Sequence, residues 1–279
     1  MAEVDLTGVH AKLRRAKGYA SELKERIETR FSPDAYRFTF EFNPQARQYA
    51  SIIHDLPEVD PEWAILVGEI LFQLRSSLDH LAWQIVLFDN KTPGEHTYYP
   101  IRDSPYDKQG NIGPTQLNPP ITSPDILNAL EATQPYRTLD PPGSAQIDLA
   151  RVATHPLHAL RVLNNIDKHR LLLVTAAVLN VGEMWWGLPK DLPPPVYNLN
   201  PGVLKNDAPV AWFDFGPNEA PPDFDPHPAV QIAIREKEVA FLTLVDLGAF
   251  MNSLCDFWVR DWIIDWRFGQ IFNGLPPFF

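Results

Sequence analysis

One cysteine, Cys255, in 279 residues excludes an internal disulfide and any zinc cage built from cysteines. It falls in an apolar helical pattern, which reads as a buried, inert thiol. Long hydrophobic runs are missing too. The most apolar stretches, residues 63–74 and 171–181, stop short of the ~18 apolar residues that a membrane-spanning helix needs. No membrane partner is therefore expected. The opening Met1-Ala2-Glu3-Val4-Asp5 has neither the basic nor the apolar region of a signal peptide, so a cytoplasmic location is expected. Positive charge is scarce: 24 Lys and Arg stand against 35 Asp and Glu, giving a net charge of −11. A field of that sign repels nucleic acid, so RNA could be engaged only through a local basic site. No zincin helix, Walker loop, dinucleotide fingerprint or nucleophile elbow occurs, and no cofactor or metal is implied by motif.

Proline is abundant, at 28 residues, and clusters in residues 93–142 and 184–228. These stretches read as irregular connections around regular elements. Between them the apolar pattern is helical. Leu6, Val9, Leu13, Ala16, Ala20, Leu23 and Ile27 recur at spacings of three and four, the seam of an amphipathic helix stopped by Ser32-Pro33-Asp34. A second long helix is expected over residues 61–88, started by Asp60-Pro61, with Trp63, Val67, Ile70, Leu74, Leu78, Leu81, Ile85 and Phe88 in one stripe. A short helix over 124–132, a long one over 156–179 and a last one over 236–266 complete the helical set. Strict alternation from Tyr36 to Phe42 predicts a strand, paired with residues 48–53 across a turn at 43–47. Residues 210–215 and 229–235 also read as strands. The expected fold is mainly α: a bundle of about four long helices with a small appended antiparallel sheet and Pro-rich loops. One domain, residues 1–279, is expected, with β elements near 36–54 and 181–235.

Two clusters place polar side chains where the helical pattern expects core. The first is Arg75-Ser76-Ser77-Leu78-Asp79-His80. Arg75 and Asp79, four apart, share a side of the helix and can pair. The second is Asn164-Asn165-Ile166-Asp167-Lys168-His169-Arg170. Asn164 and Asp167 fall on the stripe of Leu160, Leu171 and Val174, and Arg161, Asn165 and His169 form a second polar ladder. Buried groups of this kind require partners, so the two helices are expected to be neighbours, with Asn164 or Asp167 meeting Arg75. Asp79, Asn164, Asp167, Lys168 and His169 are the candidate binding residues. A histidine–carboxylate metal site from Asp79, His80, Asp167 and His169 is a lesser alternative.

The segments from Gly68 to Gln84 and from Leu163 to Arg170 resemble the two signature segments of a widespread family of uncharacterised bacterial and phage proteins. Tyr99-Pro100-Ile101 and Gln134-Pro135-Tyr136 resemble its weaker intermediate landmarks. That resemblance spans roughly residues 60–180 and implies no activity. Arg75-Ser76…His80 also resembles, more remotely, the Arg–polar…His motif of HEPN domains. These are helical bundles, often dimeric, and many are metal-independent ribonucleases of stress and phage-defence systems. The resemblance implies catalysis by Arg75 and His80. Arg75 would hold the phosphate, and His80 would move protons near neutral pH. Residues five apart on a helix point ~140° apart, so the pair would converge only across a symmetric dimer. Trp258, Trp262 and Trp266, spaced by four, read either as core of the last helix or as a stripe that docks a second subunit. The alternative to a ribonuclease is a non-catalytic binding or scaffold protein whose buried Arg-Asp-Asn-His network is structural.

Overall fold

In a computed structural model of the chain, the described residues are 4–32, 34–106, 115–137, 149–178, 195–200, 203–216, 220, 224, 230–237 and 242–243. The first helix, α1 (Thr7–Arg30), buries Val9, Leu13, Ala16, Ala20 and Leu23, which is the seam its spacing predicts. Asp5 Oδ1 accepts a hydrogen bond from Thr7 N at 2.9 Å and so satisfies a free amide of the first turn. The second helix, α2 (Glu62–Phe88), is capped in the same way by Asp60 Oδ1 on Glu62 N at 2.9 Å. Val67, Ile70, Leu71, Leu74, Leu78, Leu81, Ala82, Ile85 and Val86 are all buried, so α2 is apolar on more than one face. Each fully buried Leu or Ile stabilises the fold by ~1.5–3 kcal/mol relative to exposure. The end of α2 is a left-handed cap. Asn90 has φ 56°, Asn90 N donates to Leu87 O at 3.0 Å, and Lys91 N donates to Val86 O at 3.1 Å.

The short helix α3 (Pro124–Ala132) has the expected bounds and leads into a single 3-10 turn, Pro135–Arg137. A further short helix, α4 (Leu149–Thr154), precedes α5 (Pro156–Asp167). Pro156 sits in the first turn of α5, where its missing amide costs nothing, and His155 is the N-cap.

The expected helical bundle is not what forms: the fold is a mixed α/β one. The helix expected over 156–179 stops at Asp167, and Val174–Val178 is a strand, β3 in a chain order that begins with β1 (Arg37–Asn43) and β2 (Gln48–His54). The remaining strands are β4 (Val196–Leu199), β5 (Ala208–Asp214), β6 (Val230–Ile234) and the two-residue β7 (Leu242–Thr243). β3 pairs antiparallel with β6, Val174 opposite Ile234 and Val178 opposite Val230. This partner, rich in β-branched residues and far along the chain, decides the conformation of 174–178 against a helical spacing that ran on. The start of the last expected helix is corrected as well, and residues 244–266 of it lie outside the described residues. Glu236 is not helical, and Leu242–Thr243 is extended where helix was expected. The Glu236 carboxylate instead accepts Arg170 Nη1 at 2.9 Å, Arg170 Nη2 at 2.6 Å and Leu173 N at 2.8 Å. Cys255 and the Trp258, Trp262 and Trp266 stripe lie outside the described residues.

A four-stranded antiparallel sheet has the order β1-β2-β5-β4. Its hairpin is built on Asn43, whose Oδ1 accepts from Gln45 N at 3.0 Å and Ala46 N at 3.1 Å, with Arg47 at φ 52°. Phe40, Tyr49, Phe213, Phe215 and Phe224 pack as one aromatic cluster, with Phe40 stacked on Tyr49 at 5.0 Å. The chain divides into two compact units. One comprises Met1–Leu23, Ala64–Leu173 and Arg235–Phe279; the other comprises Lys24–Trp63 and Val174–Ile234. No helix among the described residues is long and apolar enough to cross a membrane.

Candidate functional site

The site begins with the pair that helical spacing put on one side of α2. Arg75 Nη2 lies 3.0 Å from Asp79 Oδ1, four residues on. Both groups also reach the backbone of one residue in the following loop. Arg75 Nη2 donates to Tyr99 O at 2.7 Å, and Asp79 Oδ1 accepts from Tyr99 N at 2.9 Å. The ion pair thus clamps the amide and the carbonyl of Tyr99, much as a neighbouring strand would. Burial pushes the Asp79 carboxyl above its ordinary value even though Arg75, the Tyr99 amide and the more distant Lys168 all favour its charge.

The Tyr99 side chain, 1% exposed, points inward. Thr133 Oγ1 donates to Leu130 O at 2.6 Å, which leaves its lone pairs for the Tyr99 hydroxyl at 2.8 Å. Burial raises the Tyr99 phenol well above its usual range, so it stays a neutral donor. The buried amide of Gln134 holds the next residues. Its Nε2 donates to Leu130 O at 2.8 Å and Pro100 O at 3.2 Å, and its Oε1 accepts from Arg102 N at 2.9 Å. Asp103 then meets α5. It pairs with Arg161, and its Oδ1 lies 3.0 Å from His158 Nδ1. Burial alone would raise Asp103, but the adjacent His158 ring and the Arg161 charge outweigh it and hold the carboxyl below its ordinary value.

These interactions frame an open pocket of about 380 Å³. Arg75 enters from α2, and Tyr98, Tyr99 and Ile101 come from the clamped segment. Arg161, Asn164 and Asn165 of α5 form the facing wall with Lys168 just beyond it. Three cations line the pocket. The carboxylates that balance two of them, Asp79 and Asp103, stand outside the lining, and Lys168 is exposed. The arrangement suits a small anion. Asn164, 5% exposed, adds an amide with both donor and acceptor capacity.

Of the residues singled out from sequence, Arg75, Arg161, Asn164, Asn165 and Lys168 line the pocket, and Asp79 pairs with Arg75 from outside the lining. Asp167 and His80 face other neighbours. The Asp167 carboxylate lies so close to Gly68 of α2 that a Cβ there would collide with it, which confirms that α2 and α5 pack side by side. Of the two residues expected to meet Arg75, Asn164 lines the same pocket, while Asp167 makes no ion pair with it. Burial and then the Glu69 charge push its carboxyl up. The His80 ring covers Gly8 of α1, where a Cβ would strike Nδ1, and it is not part of the pocket lining. His169 is exposed beyond the end of α5, its amide donating to Ile166 O at 2.9 Å. Among the described residues no three His, Cys, Asp or Glu side chains gather as a metal would require.

Sequence reasoning missed Tyr98, Ile101, Asp103 and His158. They belong to a proline-rich loop and to a helix start, where no periodicity marks a face. The only sign was the landmark strings. Tyr99-Pro100-Ile101 and Gln134-Pro135-Tyr136 are joined through Gln134 and Thr133, between the two signature segments.

The second unit holds another polar chain. His54 Nδ1 lies 2.6 Å from Asp207 Oδ1, and Nε2 lies 2.8 Å from Thr39 Oγ1. The order hydroxyl–imidazole–carboxylate is that of a nucleophilic triad. Asp207, however, is 79% exposed at its side chain, and Thr39 is also within 3.2 Å of Glu41. A carboxylate screened by water orients an imidazole weakly. The chain acts as a brace between β1, β2 and the turn before β5.

Compared with known proteins, this chain matches no family model, no curated protein and no solved structure.

Proposed function

We propose that the protein is a binding protein for a small anion, held in the pocket between α2, the clamped 98–103 segment and α5. The observation that carries this reading is the placement of three cations, Arg75, Arg161 and Lys168, on the lining of one pocket in a chain of net charge −11. The carboxylate partners of Arg75 and Arg161, Asp79 and Asp103, are not part of the lining. A volume of about 380 Å³ falls at the small end of ligand sites, which run roughly 300–1,000 Å³. The site is also built before any ligand arrives: Arg75 is fixed by Tyr99 O and Asp79, and Arg161 by Asp103. Such preorganisation lowers the cost of binding.

Calorimetric titration with phosphate, sulfate and a dicarboxylate tests the reading. Saturable binding of at least one of them is expected, weakened about tenfold by Lys168→Ala, since one good charge contact is worth on the order of 1.5–3 kcal/mol before solvent screening. No saturable binding at millimolar concentration would remove it. The ribonuclease implied by the HEPN resemblance makes a different demand. RNA should be cut without a metal, and His80→Ala should abolish the cutting. That outcome would replace the binding reading with the catalytic one.

A further inference from the structure

The two walls of the pocket differ in chemistry, and that difference bears on the ligand. This inference rests on the anion-binding reading above and narrows it. The α5 wall is polar and cationic: Arg161, Asn164, Asn165, with Lys168 beyond. The 98–101 segment adds Tyr98 and Ile101 to the lining. An inorganic anion uses only the first wall. An apolar, aromatic second wall is matched by a flat, weakly polar body attached to the anionic group.

Tyr98 is 56% exposed, while its neighbour Tyr99 is 1% exposed. The clamp on Tyr99 N and O by Asp79 and Arg75, with the anchoring of its hydroxyl on Thr133, fixes the residue that directly follows Tyr98. Three separate side chains therefore hold a large exposed ring at the pocket wall. A phenol ring costs little entropy to hold and offers a π-face to any flat ring laid on it.

We propose that the ligand joins a phosphoryl group to a planar ring, as a nucleoside monophosphate does. The phosphoryl group lies among Arg75, Arg161 and Lys168, and the ring lies against Tyr98. The exposed amide of Asn165 is available to the edge of the ring. The pocket volume holds about one nucleotide. This chemistry has two sources, a free mononucleotide and the phosphorylated end of an oligonucleotide.

The test compares four probes on the full chain by calorimetry: inorganic phosphate, adenosine, AMP and a 5′-phosphorylated trinucleotide. AMP should bind about tenfold or more tighter than phosphate, because stacking a base on an aromatic side chain is typically worth that much. Adenosine should bind far more weakly than AMP. Tyr98→Ala should bring AMP down to the affinity of phosphate while leaving phosphate itself unchanged, and Tyr98→Phe should retain the gain. The exposed position means that neither variant should shift the unfolding midpoint. If the trinucleotide matches AMP, the site accepts a strand end; if it binds less tightly than phosphate, the ligand is the free nucleotide. Phosphate binding with no gain for AMP, or equal loss of both in Tyr98→Ala, overturns the planar-ring proposal and leaves the anion pocket standing. Binding of neither phosphate nor AMP overturns both. Adenosine binding as tightly as AMP overturns the anion pocket itself.

Discussion

Asp79 carries two duties that a substitution can separate. Its Oδ1 accepts the Tyr99 amide, and its charge balances Arg75. Asn keeps an acceptor oxygen at nearly the same place and removes the charge. Asp79→Asn should therefore unfold within about 1 kcal/mol of the parent, because burial already works against the ionised carboxyl. It should also bind phosphate more tightly, since one negative charge behind the pocket is gone. Asp79→Ala removes the acceptor as well and leaves the Tyr99 amide and a half-buried Arg75 without it. A loss of about 2–3 kcal/mol is expected there. Urea denaturation and phosphate titration of the two variants check this. Equal destabilisation by Asn and Ala would mean that the charge, not the hydrogen bond, holds the loop.

Among the elements, α5 has an unusual beginning. His155 Nδ1 accepts Leu157 N at 3.1 Å, a capping bond that only an unprotonated Nδ1 can make. Burial, with the His158 charge adding and Asp103 opposing, lowers His155 to about 4. The folded value thus lies below the unfolded value of roughly 6.5. The unfolded chain binds the proton more readily, so this contribution to stability is complete above about pH 6.5 and is lost as the pH falls toward 4. After allowance for solvent screening the loss is about 1–2 kcal/mol. His155→Asn keeps a cap that does not titrate. The stability of the variant relative to the parent should rise by that amount between pH 7 and pH 4, measured by urea midpoints. A constant difference across the range would show that His155 is not the titrating cap. The same helix shows where sequence stopped being informative. Its start and buried face, Leu157, Leu160 and Leu163, follow from Pro156 and the three-and-four spacing. Its end does not, because Leu171 and Val174 continue the helical spacing and only the distant partner Val230–Ile234 turns 174–178 into a strand. α1, α2 and α3 had no such competitor, and their patterns were enough. In the site, Arg75, Asp79 and Asn164 were visible because they are polar residues on apolar helices. Tyr98 and Asp103 sit in a loop, where composition says nothing about which way a side chain points.

Across the whole molecule the charge is negative and the pocket is not. Acidic residues outnumber basic ones by eleven, yet Arg75, Arg161 and Lys168 meet at one cavity. Long-range repulsion slows the approach of an anion, and short-range attraction keeps it once it arrives. The clamp on Tyr99 has a further consequence, in time rather than in space. Residue 99 lies in a stretch with no helix or strand, where amides ordinarily trade their hydrogens with water almost at once. The Tyr99 amide is buried and given to a carboxylate of α2, so its hydrogen can leave only when Asp79 lets go. In deuterium exchange it should therefore keep pace with the core of α2, not with the loop around it. Asp79→Ala should return it to the rate of a free peptide. Rapid exchange of Tyr99 in the parent protein would mean that the loop breathes independently of the helix. Slow exchange would make this single amide a clock for the opening of the helix beneath it.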